Sequence, residues 1–422
     1  MSDVSPYLAS LPVNAAVSRA DAFCPSLGQV LSDGEPVVPS IVQSTTFARD
    51  GIGSNALHQY SRCSNPTVAS LETALGALES APPAVAFSTG LAAETALFLS
   101  LVKAGDHVVC GTSVYGGTTR LLRAILEPLG VSSTFVDATD PQAVARAVTP
   151  ATKLIFAETP ANPSLELTDI AALAAIAKPR GITLVIDNTF LTPVLQQPLD
   201  LGADVCVYST TKFIEGHSAA LGGALVARDA ALLERFRFLR KCTGAIQTPL
   251  GAYLTLQGLR TLPLRIRHQS RTAEAIANKL AEHPAVVRVN YPTLAGARAA
   301  KIASRQHLGA HGALVSFELE NLDTAKRFAL AVKAARLVEH VGSVETLLTH
   351  PATMTHADVP QDQRLLAGIT DGLLRLSVGL EPAELLIPDL LRALDEASAR
   401  PKRREASLPA SNLEARACPA IA

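Results

Sequence analysis

Tryptophan is absent from the 422-residue chain, and aromatic residues make up only 4% of it. Without stacking side chains in number, single-stranded nucleic acid has no platform on which to bind. An excess of either charge is missing too: 37 Lys and Arg stand against 38 Asp and Glu, for a formal net charge of −1. That balance excludes the concentrated basic field that a nucleic acid or an anionic membrane requires of its partner. Six cysteines are scattered with no CxxC and no paired spacing, so neither a disulfide framework nor a metal site is expected. No apolar run reaches the length of a membrane span; the longest, 84–102, is broken by Ser88, Thr89 and Glu94. The N-terminus has no basic stretch followed by an apolar one, so no signal peptide is read and a cytoplasmic location is expected. Neither GxGxxG nor the ATP-binding GxxxxGKS/T occurs.

What is present is a 48% hydrophobic share, rich in Ala and Leu and punctuated by 26 Gly and 27 Pro. At about 150 residues per domain, the length corresponds to roughly two or three domains. Residues 1–55 lack periodicity and read as an extended arm. Asn65 and Pro66 then supply an N-cap and a first helical position, with Val68, Leu71, Leu75 and Leu78 on one helical face. Short β-type runs follow at 84–87, 107–110, 132–136, 153–157, 182–186, 204–208 and 222–226, with amphipathic segments between several of them. Apolar strands without polar alternation, separated by helices, predict a mostly parallel α/β sheet of seven strands covered on both faces. The rhythm changes after about residue 255. Helices at 272–283, 324–335 and 383–397 and β-type runs at 286–290, 313–319 and 373–378 predict a smaller α+β unit. The expected division is an arm (1–55), a cofactor domain (56–255), a C-terminal domain (256–398) and a flexible tail (399–422), the last with the basic cluster Lys402, Arg403 and Arg404.

Ligands of open α/β sheets bind beyond the carboxyl ends of the strands. Three of those ends carry chemistry. The run 182–186 ends in Asp187-Asn188-Thr189, 204–208 in Ser209-Thr210-Thr211-Lys212, and 84–87 in Ser88-Thr89-Gly90-Leu91 at a helix start. Asp or Lys alone at a strand end is most often a cap or a solvated side chain. Converging on one edge, they suit pyridoxal phosphate, which needs a lysine for its aldehyde, an acid for its pyridine nitrogen and an anion cradle.

Ser209-Thr210-Thr211-Lys212 with Gly216-His217-Ser218, and Val185-Ile186-Asp187-Asn188-Thr189-Phe190, resemble the cysteine/methionine-metabolism family of pyridoxal-phosphate enzymes. So do Tyr60-Ser61-Arg62, Asn65-Pro66-Thr67, Val114-Tyr115-Gly116-Gly117-Thr118, Glu158-Thr159-Pro160-Ala161-Asn162-Pro163 and Leu374-Arg375-Leu376-Ser377. The resemblance runs in order from about residue 35 to 398. It implies a fold-type I architecture and a carbon–sulfur lyase acting on a sulfur amino acid, as in cystathionine γ-lyases. The same residues would serve γ-replacement on an O-acyl-homoserine, as in cystathionine γ-synthases, or methionine γ-lysis.

The family pattern implies Lys212 as the Schiff-base lysine and proton carrier, Asp187 on the pyridine nitrogen, and Tyr115 stacked on the ring. Ser209, Thr211 and the Gly90 and Leu91 backbone would hold the phosphate, and Asn162 the ring hydroxyl. Tyr60 and Arg62 would complete the site of a neighbouring subunit, which implies a homotetramer. Arg375 would clamp the substrate α-carboxylate, a task suited to a planar guanidinium. The partner is then a small amino acid, with no nucleic acid and no membrane.

Departures from the pattern concern the substrate. The loop usually reading Ser-Leu-Gly-Gly reads His340-Val341-Gly342-Ser343, so His340 either brings an imidazole to the site or faces away from it. Gln59 stands where cystathionine-handling members often carry an acid. Glu339 is retained as in those members, and Gly117 replaces the Cys of methionine γ-lyases. His350 and His356 read as structural, and His307 and His311 have helical spacing without an acid motif that would make them a metal site.

Overall fold

The computed structural model describes residues 18–27, 31–357, 359 and 361–399. Residues 1–17 of the expected arm and 400–422 of the expected tail, with Lys402, Arg403 and Arg404, lie outside the described residues.

The helix Pro66–Leu78 forms as its sequence requires. The Asn65 side chain accepts from the Thr67 amide, Pro66 opens the first turn, and Val68, Leu71, Leu75 and Leu78 are all buried. Seven strands follow: β1 (Val85–Phe87), β2 (His107–Gly111), β3 (Ser132–Val136), β4 (Thr152–Glu158), β5 (Thr183–Asp187), β6 (Val205–Tyr208) and β7 (Gly223–Ala227). They form one sheet in the order β1-β7-β6-β5-β4-β2-β3. Every pairing from β6 to β3 is parallel, while β7 runs antiparallel to both its neighbours. Strands β2 and β7 are buried along their whole length, as strands covered on both faces must be.

The smaller sheet comprises β8 (Val286–Asn290), β9 (Leu314–Leu319), β10 (Arg336–Leu337), β11 (Leu347–Thr349) and β12 (Leu373–Ser377), in the order β10-β11-β12-β9-β8. It packs Val315, Phe317, Leu374 and Leu376 against helix Ala383–Ser398 and the end of a 33-residue helix, Pro249–Ala281. That long helix exceeds the segment expected at 272–283. Its N-terminal half carries Gly251, Gly258 and Pro263, which lower local helix propensity. Gly258 is there for contact: a β-carbon would lie 2.1 Å from the Glu215 carbonyl oxygen, so the helix can approach the segment after Lys212 only through a glycine. The helix Gly296–Gln306 and the short β10 and β11 are further elements that the sequence pattern does not announce.

Candidate active site

The parallel strands bring their carboxyl ends to one edge, and a cavity of about 570 Å³ opens there. That volume is typical of a small-molecule site. Register places Glu158 at the end of β4 directly beside Asp187 at the end of β5, and Asp187 beside Val207 of β6. Asp187 is buried, and its carboxylate accepts from the Thr189 amide at 2.8 Å. Burial pushes its pKa up to about 6 against the opposing Thr189 hydrogen bonds. Glu158 accepts from the Tyr115 amide at 2.7 Å, which fixes the backbone from which the Tyr115 ring reaches the cavity. Gly117 makes room for that ring, since a β-carbon there would sit 2.4 Å from Tyr115 Cε1.

An anion cradle stands at the N-terminus of helix Gly90–Leu101. Thr89 caps it by accepting from the Ala92 amide at 3.0 Å. Gly90 lets this helix end meet Ser209, because a β-carbon would lie 2.9 Å from Ser209 Cβ. Gly223 of β7 similarly leaves no space for a side chain against the Thr89 carbonyl, at 2.2 Å. Ser209 is held by its amide, which donates to Thr189 Oγ1 at 2.8 Å. The Thr211 hydroxyl exchanges hydrogen bonds with the Gly222 backbone at 3.0 and 2.9 Å, so it braces the cradle wall.

Lys212 lies at the cavity floor, where burial and then the Arg375 charge lower its pKa to about 8. Arg375, on β12, is buried. It donates to Asn162 Oδ1 at 2.5 Å, Thr349 Oγ1 at 3.1 Å and the His340 carbonyl at 3.4 Å, while its Nε has no partner. His340 faces the site: its Nδ1 lies 3.4 Å from Lys212 Nζ. Glu339 lines the same cavity from an exposed position.

Of the residues expected at the site, Lys212, Asp187, Tyr115, Gly90, Leu91, Ser209, Thr211, Asn162, Arg375, Glu339 and His340 all line this one cavity. Tyr60 and Arg62 do not line it. They stack on each other, with the guanidinium 5.5 Å from the ring centroid, and Arg62 donates to the Lys241 carbonyl at 2.7 Å.

The family model for Cys/Met metabolism PLP-dependent enzymes matches residues 28–395. The chain belongs to this family. It is 41% identical to cystathionine gamma-lyase of Bacillus subtilis (strain 168) over 355 residues, which is 84% of this chain and 93% of that one. It is 43% identical to cystathionine beta-lyase of the same organism, over 84% of this chain and 91% of the relative. Among solved structures, cystathionine gamma synthase from Xanthomonas oryzae pv. oryzae in complex with aminoacrylate and cysteine superposes with a TM-score of 0.87. That pair is 40% identical and covers 91% of this chain and 99% of the other.

As a member of the Cys/Met-metabolism family, the chain is a PLP-dependent enzyme of the carbon–sulfur lyase and γ-replacement type with a fold-type I architecture. Its own residues fit the cofactor. The glycine-lined cradle offers amides without side chains in the way, the buried Asp187 makes no ion pair among the described residues, and the Lys212 amine opens onto the same space. A pyridinium beside Asp187 would favour the ionised carboxylate and lower its raised pKa.

The cavity also holds residues that motif reading left without a role: Thr189, Glu158, Glu94 and Arg120. Thr189 and Glu158 sit inside quoted motifs, and Arg120 ends the short helix that starts after Tyr115. Glu94 was legible only as a break in an apolar run. It is buried, accepts from Thr118 Oγ1 at 2.7 Å, and is pushed up to about 8 by burial and the nearby Asp187. His307 and His311 pair through their Nδ1 atoms at 3.0 Å, away from this cavity.

Proposed function

We propose that the chain eliminates the thiol from a cystathionine-type substrate, yielding a 2-oxo acid, ammonia and a thiol. The observation that carries this reading is the polarity of the cavity. Arg375, with its unpartnered Nε, lies at the buried end, and the carboxylate of Glu339 lies at the exposed end. An amino acid with an α-carboxylate at one end and a distant ammonium at the other fits that order of charges. Methionine fits it less well, having no far charge for Glu339 to meet. Gly117 agrees, since the Cys of methionine γ-lyases would collide with Tyr115 as it stands here.

Bound pyridoxal phosphate supplies an electron sink for the electrons left at the substrate's Cα. Arg375 would orient the substrate through its carboxylate, and Tyr115 would cover the cofactor ring. Asp187 would hold the pyridine nitrogen protonated, while Gly90, Leu91, Ser209 and Thr211 would hold the phosphate and Asn162 would meet the ring hydroxyl. Lys212, held by burial well below the ordinary lysine range, to about 8, has a free-base fraction of roughly one-tenth at pH 7 and would take the Cα proton. A second reading, γ-replacement on an O-acyl-homoserine, is favoured by the likeness to the Xanthomonas synthase.

Products decide between the two. The holoenzyme is given cystathionine, methionine or cysteine alone, and O-acyl-homoserine with cysteine. Oxo acid and thiol from cystathionine alone are expected; cystathionine formed from ester plus cysteine, with no oxo acid from single substrates, overturns the lyase reading.

The domain division near residue 255 and a cytoplasmic homotetramer belong to the same reading. Tyr60 and Arg62 stand outside their own cavity, and in the tetramer they would complete the cofactor site of a neighbour. Mixing inactive Arg62→Ala and Lys212→Ala subunits should then restore activity, and no recovery in mixed oligomers would remove that role. Among the described residues, no helix is long and apolar enough to cross a membrane.

A further inference from the structure

His340 is carried to Lys212 by a loop with little freedom. Gly342 adopts φ +84°, and a β-carbon there would lie 2.4 Å from the Phe213 amide nitrogen, so the loop rests on the lysine's own backbone. The Gly342 amide donates to Ser377 Oγ at 2.9 Å, the Val344 amide to the Gly216 carbonyl at 2.9 Å, and Gln269 Nε2 to the Ser343 carbonyl at 2.8 Å. Residue 340 therefore touches both halves of the site. Its carbonyl accepts from Arg375, and its imidazole Nδ1 meets Lys212 Nζ. The other ring nitrogen, Nε2, is buried and has no hydrogen-bond partner among the described residues.

Two bases 3.4 Å apart could either relay a proton or share one through a hydrogen bond. Burial, then the charges of Lys212 and Arg375, hold the imidazole down to about 4, while Lys212 sits near 8. Of the two groups the lysine holds the proton more tightly, so the ring is left neutral as an acceptor. The relay loses and the hydrogen bond wins. The charged and titratable groups around the pair are Arg375, Asp187, Glu158, Glu94, Arg120, Glu339 and Tyr115, all on the same cavity. None of the hydrogen bonds made by Glu158, Glu94 or Asp187 described above goes to the lysine.

We propose that His340 is the positioning residue of Lys212, a neutral acceptor that holds the lysine's ammonium after it has taken the substrate proton and so strengthens the lysine as a base. This rests on the pyridoxal-phosphate reading of the site and adds to it a residue whose action runs through the lysine. An acceptor beside an ammonium favours the charged form, so removing it lowers the lysine's pKa and weakens the base.

The test uses the holoenzyme in D₂O with L-alanine, which has no leaving group, and follows loss of its Cα proton by NMR from pH 5.5 to 9.5. His340→Leu keeps the bulk and removes the acceptor; His340→Asn restores an acceptor without a titrating ring. Visible absorbance of the bound cofactor is recorded for each. The expected result for His340→Leu is exchange about tenfold slower, with its rising limb shifted down by about one pH unit. His340→Asn is expected to stay within about threefold of the parent, with its limb unshifted. Parent-like exchange in His340→Leu, or an equal loss in His340→Asn, overturns the inference while a normal cofactor spectrum leaves the broader reading intact. A parent protein without a cofactor band overturns both.

Discussion

The floor and the roof of the cavity are built in different ways. The floor comes from the strand ends of the large sheet, where Gly90 and Gly223 admit no side chain and Asp187 and Glu158 are set side by side by strand register. The roof comes from the 339–343 loop and β12, which reach the floor through the Gly342 contact with Phe213, the Val344–Gly216 backbone bond, and the contacts of Arg375 with Asn162 and His340 with Lys212. The floor's Asp187, Glu158, Ser209, Thr211 and Lys212 lie in motifs that resemble the family's, whereas His340 departs from the pattern in the roof. The contrast has a physical cause. A cofactor of fixed shape constrains the floor, whereas in the roof only Arg375 answers to a group common to all amino-acid substrates and the 339–340 segment is left to vary with the rest of the substrate.

The sharpest way to break that comparison is to remove the floor's nucleophile. Lys212→Ala should lower turnover by about 10³-fold or more and abolish the absorbance near ~420 nm of cofactor bound through the lysine. Persistence of that band in the variant would take the role from Lys212. A roof substitution should act on binding instead. Arg375→Ala is expected to raise KM for the amino-acid substrate by roughly 10- to 100-fold, with a smaller change in kcat, since a charge-assisted clamp is lost. An unchanged KM in steady-state kinetics would separate Arg375 from the carboxylate.

The smallest effect on activity lies outside both walls. Glu79 is buried beneath the sheet, hydrogen-bonded by the Tyr208 hydroxyl, and burial raises its pKa from 4.5 to about 8. The folded protein keeps a proton there that the unfolded chain releases. Stability from this group is therefore full below pH 4.5 and is lost as pH rises toward 8, by up to about 1.4 kcal/mol per pH unit. Glu79→Gln should flatten the fall in Tm between pH 5 and 8 and leave the cofactor spectrum unchanged. An identical Tm slope in thermal melts would show that Glu79 does not carry it.

The strands of the large sheet were legible because burial demands short apolar runs, the exposed edge strand β3 with its Ser132-Ser133-Thr134 being the exception to that reason, and each observed strand lies within a residue or two of an expected β-type run. The helix at Pro66 was legible from its cap and its apolar face. The first half of Pro249–Ala281 was not, because Gly251, Gly258 and Pro263 argue locally against a helix that tertiary contact with Glu215 requires. Strands β10 and β11 are two and three residues long, too short to show any period. In the site, Lys212, Asp187 and Arg375 were legible from motifs, but Glu94 was not, since one acid inside an apolar helix carries no pattern.

The sequence by itself determined the sheet, the glycine-bounded cradle and the identity of the lysine, acid and arginine, because each depends on local runs and short spacings. Only the tertiary structure decided which way His340 faces and that Glu94 joins Asp187. Those contacts join residues more than 90 positions apart, and their geometry is fixed by where a glycine allows two backbones to meet.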